Sequence, residues 1–117
     1  MMSTFVAEIK VNKATVDYTP GSATAAGVVV VAGSLIGVVV SDLAAAEKGA
    51  LCIEGVIEIP KPTGAGTDYS RGDPIYWDAA DTNGQDTADS GTNKRIGTLL
   101  EDRATTDTHM QIWWQQF

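Results

Sequence analysis

The stretch Gly49-Ala-Leu-Cys-Ile-Glu-Gly-Val-Ile-Glu-Ile-Pro60 limits the fold more than any other part of the chain. Leu51, Ile53, Ile57 and Ile59 recur at every second position with Gly55 midway, while Glu54 and Glu58 point the other way. A period of two in β-branched residues predicts a strand with one face in a core and one in water. A helix would scatter the same residues around its circumference. Pro60 and Pro62 stop the strand, and Gly64 and Gly66 let the chain turn. A second strand, Ile75-Tyr76-Trp77, opens after the turn residues Gly72, Asp73 and Pro74. This strand–loop–strand predicts the centre of an all-β domain.

Shorter strands surround it. Phe5, Ala7, Ile9 and Val11 alternate with more polar residues, and Ala14 to Tyr18 runs up to Thr19-Pro20-Gly21. Val28 to Ala32 is a solid apolar run, expected as a strand buried on both faces. Gly33-Ser34 suits a two-residue hairpin turn, with Leu35 to Val40 returning as its partner. Ser41 to Gly49, with an alanine run between a capping residue and a glycine, is the best helix candidate. Asp78 to Thr92 is polar with turn chemistry throughout. Arg95 to Glu101 forms a strand with Ile96 and Leu100 on one face. His109 to Gln115 forms the last, with Met110, Ile112 and Trp114 inward by parity. Strands every 8 to 12 residues suggest a small single-domain β-barrel or β-sandwich over 1–117, with extended termini and at most one short helix. Residues 1–12 read as an arm and 111–117 as a contact tail. No internal repeat and no linker is visible.

Composition narrows the partners. Eight basic against fifteen acidic side chains give a net charge of −7, which disfavours nucleic-acid backbones and anionic membranes. One cysteine, Cys52, leaves no internal disulfide or multi-thiolate metal site. The start of the chain lacks a signal-peptide layout, so synthesis in the cytoplasm is expected.

The chemistry of the chain is sparse. His109 is the one histidine and has no serine or cysteine motif tied to it. No Gly-x-Ser-x-Gly elbow and no phosphate-cradling Gly-x4-Gly-Lys-Ser/Thr occurs. Asp78, Asp81, Asp86 and Asp89 crowd one loop, but Gly84 sits at the wrong offset for an EF-hand and no glutamate closes it. Glu54 and Glu58 would stand about 13 Å apart at the Cα atoms, beyond glycosidase carboxyl separations. Arg71-Gly72-Asp73 spells a receptor tripeptide, yet its residues already have a turn to make. The expectation is no enzyme, no cofactor and no metal. At the C-terminus, Trp113 lies outward with Gln111, Gln115 and Phe117 if Trp114 is in the core. An outward tryptophan beside a phenylalanine marks either a contact between chains or a strand covered on both sides within its own domain. Thr4, Phe5 and Val6 are the matching candidates at the other end. An alternative reading is a carbohydrate- or receptor-binding module stacking on Tyr69, Tyr76, Trp77 and Trp113.

A set of segments carries a resemblance. Val16-Asp-Tyr-Thr-Pro20, Ala26-Gly-Val-Val-Val30, Leu35-Ile-Gly-Val38, Gly49-Ala-Leu51, Glu54-Gly-Val56, Ile59-Pro-Lys61, Gly72-Asp73 and Tyr76-Trp-Asp78 occur in this order. Together, over residues 14–100, the chain resembles the capsid cement (head decoration) proteins of tailed bacteriophages. Val28 where an aspartate is common, the length of the Asp81–Asn93 region and the Trp-Trp tail are departures. A RecA/RadA-type recombinase label sometimes given to such sequences does not fit a chain with no Walker motif and no basic surface. The resemblance implies a β-rich virion protein on the outer surface of the head that bridges neighbouring major capsid proteins. It would also associate with itself, as a trimer in preference to a dimer.

Overall fold

The computed structural model describes residues 7–117. Eight strands share one antiparallel sheet that curls into a half-barrel, so the all-β expectation holds. They are β1 (Glu8–Tyr18), β2 (Val29–Ala32), β3 (Leu35–Val39), β4 (Gly49–Pro60), β5 (Pro74–Asp78), β6 (Asn83–Gln85), β7 (Lys94–Leu99) and β8 (His109–Trp114). Their order is β2-β3-β4-β8-β7-β5-β6, with β1 on the other side of β4.

The central strand is β4, and it changes face midway. Leu51 and Ile53 pack with Val39 and Leu43 in a small apolar cluster. Ile57 and Ile59 join the main core with Ile75, Ile96, Leu99, Met110, Ile112 and Trp114, on the side to which Cys52 points. The single apolar row expected from 51 to 59 is therefore two half-rows on opposite faces. The cause is a register shift between Ala14 and Thr15 that leaves Ile53 without a partner in β1. One extra residue reverses the parity of everything beyond it. Gly55 sits at the pivot with φ +154°, and a side chain there would run into the Val11 carbonyl.

That pivot makes β4 a member of two similar units. In the first, β1, β4, β3 and β2 lie side by side; in the second, β4, β8, β7 and β5 do. The pairing Val16 with Leu51 corresponds to Ile57 with Ile112, and Val39 with Leu51 to Leu99 with Ile112. Val30 opposite Gly37 corresponds to Ile75 opposite Gly97. The loops agree as well. Thr24 and Leu43 exchange backbone hydrogen bonds of 2.9 and 2.8 Å, as Tyr69 and Arg103 do at 3.0 and 2.8 Å. Asp42 Oδ1 accepts from the Ala26 N–H (2.9 Å), and Asp102 Oδ1 from the Arg71 N–H (2.8 Å). Glu47 and Asp107 each accept from the backbone N–H three residues before, at Ala44 and Ala104 (2.8 Å both). The expectation of a chain without a repeat is overturned. The repeat is hidden in sequence because its connections differ: Gly33-Ser34 joins β2 to β3, whereas residues 79–93, with β6, separate β5 from β7.

Other expectations change for local reasons. Ser41 to Gly49 is a turn and not a helix: Glu47 closes it onto Ala44, and Asp42 is committed to Ala26. The short helical segment is instead a 3-10 turn at Asp89–Gly91. β2 is not buried on both faces; it pairs only with β3, and Val31 is 58% exposed. In β7 the buried apolar side chains are Ile96 and Leu99, not Ile96 and Leu100, because Ile96 is the extra residue between the pairs Tyr76–Arg95 and Ile75–Gly97. Of the arm expected at 1–12, residues 8–12 lie in β1, paired with β4. Thr4, Phe5 and Val6 lie outside the described residues.

Candidate interaction surface

Many polar side chains of the described residues bond to the backbone of turns. Asp78 Oδ1 accepts the N–H groups of Ala80 (3.0 Å) and Asp81 (3.1 Å), and its Oδ2 accepts from Gln85 Nε2 (2.9 Å). Among the described residues no group of three His, Cys, Asp or Glu side chains gathers as a metal site. Asp73 Oδ2 accepts from the Ser70 N–H (2.8 Å), and Arg71 Nε donates to the Leu100 carbonyl (2.9 Å), so Arg71-Gly72-Asp73 is a tied turn. Cys52 is buried, its thiol directed at the Glu54 carbonyl (3.4 Å), and burial raises its pKa above 9.0. His109 Nδ1 lies 3.0 Å from Thr108 Oγ1.

The stacking surface of the alternative reading is not assembled. Tyr69 and Trp77 are core residues, at 4% and 8% exposure: Trp77 shares the inward face of β5 with Ile75, and Tyr69, ahead of that strand, is fixed by its backbone exchange with Arg103. Tyr76 and Trp113 are half-buried.

Lys61 is a buried cation that the sequence reading did not single out. Its Nζ donates to the Pro62 carbonyl (2.7 Å) and stands 5.0 Å from the centre of the Tyr69 ring. Desolvation lowers its pKa. Pro60 to Pro62 stop β4, so the ammonium is held on backbone carbonyl and aromatic face without a carboxylate in contact.

The C-terminal residues fall on the faces expected of them. Met110, Ile112 and Trp114 are inward and buried. Gln111 lies opposite Glu58, and Trp113 lies between Val56 on β4 and Thr98 on β7. Trp113 Nε1 donates to Gln115 Oε1 (3.0 Å). Gln116 fastens the tail: its Oε1 accepts from the Ile36 N–H (2.9 Å), and its Nε2 donates to the Ile36 and Ile53 carbonyls (2.8 Å each). Trp114 Nε1 donates to the same Ile36 carbonyl at 3.1 Å. Phe117 is left 49% exposed, with the Arg95 guanidinium 4.1 Å from its ring centre. Gln111, Trp113, Gln115 and Phe117 thus form one outward strip on a fixed strand. Because β8 is paired on both sides, its backbone is not free to add a neighbour's strand.

Many of the polar side chains thus tie turns around a curled sheet. The family model for phage cement protein matches residues 9–113, and the chain belongs to that family. Nothing matches among curated proteins or among solved structures. The family is a structural one, with its role in the phage capsid.

Proposed function

We propose that the protein is a clasp on the outer surface of a phage head, binding the major capsid protein and stabilising its lattice. The observation that carries this reading is the family match over residues 9–113. Charge favours the outside, since packaged DNA would repel a subunit carrying −7. A protein that binds the mature lattice and not its loosened form stabilises the former by mass action. Repeated weak contacts on the lattice become strong together. The contacts assigned are Gln111, Trp113, Gln115 and Phe117 on the outward strip, and Thr4, Phe5 and Val6 at the other terminus. The subunit is made in the host cytoplasm and self-associates, a trimer fitting a threefold position better than a dimer.

Heads assembled without this chain test the reading. They should release DNA at lower temperature than complete heads and recover when the purified full-length protein is added. Equal heat resistance with and without it would refute the proposal.

A further inference from the structure

The two units treat the same face differently. In the second, the apolar face is roofed by β6, where Gly84 lies against Ile59, Met110 and Ile75 so closely that a Cβ would not fit. β6 reaches that place by pairing with the outer edge of β5, at Tyr76, Trp77 and Asp78. In the first unit β2 holds the position of β5, and its outer edge has no strand beside it among the described residues. The corresponding face there is buried at its centre, at Val39, Leu43 and Leu51, and half-buried around it at Val16, Tyr18, Val30, Ala32 and Ile53.

Among the described residues the edge itself is undefended. The free edges of β1 and β6 seen among the same residues carry the usual protection: β1 bears Glu8, Lys10, Lys13 and Asp17, and β6 is three polar or glycine residues long. β2 is Val29-Val-Val-Ala32 with Val31 outward, and β3 behind it has no charge either. An uncharged valine edge beside an open apolar face is a template for strand addition.

We propose that this edge and face receive an extended, uncharged segment of the capsid shell protein, which takes the place that β6 has in the second unit. This rests on the capsid-binding reading and assigns it a second contact, separate from the C-terminal strip. A second copy is the weaker occupant on size. Two four-residue strands paired edge to edge share only about 13 Å of ladder, and so short a ladder by itself buries far less than the roughly 800 Å² per partner of a standard interface. A subunit held on a lattice by other contacts needs less from each one. The segment's backbone continues the sheet at β2, and aliphatic side chains at alternate positions face Val30 and Tyr18.

The test uses full-length protein and heads stripped of it. Val31 is exposed, so Val31→Lys puts a charge on the edge without emptying the core, and unchanged melting of the free variant verifies that. The expected result is unaltered oligomeric state in solution with an affinity for heads reduced about tenfold or more. Wild-type affinity in the variant would overturn the proposal while leaving the capsid-binding reading intact. A wild-type oligomer that dissociates in the variant would assign the edge to a second copy and overturn it as well. If the wild-type protein fails to bind heads, the capsid-binding reading falls and takes this assignment with it.

Discussion

The first and second units are built on the same four-strand arrangement, yet one face is sealed throughout and its counterpart is sealed only at its centre, at Val39, Leu43 and Leu51. Ile57, Ile59, Ile75, Trp77 and Trp114 are buried, whereas their equivalents Val16, Tyr18, Val30, Ala32 and Ile53 are half-buried. The seal comes from β6 on one side and from the back of the first unit, Ile36, Val38 and Cys52, on the other. Each sealed aliphatic side chain contributes about 1.5–3 kcal/mol, so the second unit holds the fold together. The first lends its back to that core, while the rim of its front stays half-buried.

Paired substitutions break or sharpen this contrast. Trp114→Ala should cost about 4 kcal/mol in chemical denaturation, while its equivalent, Ile53→Ala, should cost about 1 because its surface is already partly wet. Similar losses at the two positions would mean the faces are equally structural. Gly84→Ala, which pushes a methyl into Ile59, Met110 and Ile75, should destabilise by about 2 kcal/mol; a neutral result would show that β6 is not a tight roof. Asp42→Ala and Asp102→Ala remove equivalent loop caps. Each should lower stability by about 1 kcal/mol, and a clearly unequal pair would undo the equivalence of the loops.

The smallest effect is in alkali. Burial raises the Cys52 thiol above 9.0, so the folded state retains a proton that the unfolded chain loses. Stability conferred by that group is present below pH 9 and declines as pH rises through the window above it. Buried Tyr69, raised above 10.0, acts in the same direction at higher pH. Denaturation titrations from pH 8 to 10 should show a downward slope that Cys52→Ala flattens; an unchanged slope would remove Cys52 from the account.

Much of the fold was legible where local pattern and tertiary packing agree. The alternation Met110, Ile112, Trp114 places each residue correctly, and Gly33 adopts φ +64° in the hairpin turn expected of it. Two features escaped because the information lies between strands. Leu51, Ile53, Ile57 and Ile59 of β4 are all odd-numbered, and only the register shift opposite Ala14 and Thr15 shows that they part company. The repeat escaped because its strongest marks are shared hydrogen-bond roles, Asp42 with Asp102 and Glu47 with Asp107, on otherwise different residues. The candidate contact strip was legible by parity alone, since Trp113 must oppose Trp114 on any strand. The open face of the first unit was not, because Val28 to Ala32 reads as core until β2 is seen at an edge.

Counting this chain against the major capsid protein in purified particles tests the account most directly. A clasp on the head lattice predicts many copies per particle, in a fixed ratio to the shell protein and spread over its surface. Particles that lack it, or that hold a few copies confined to the portal or tail, would contradict it.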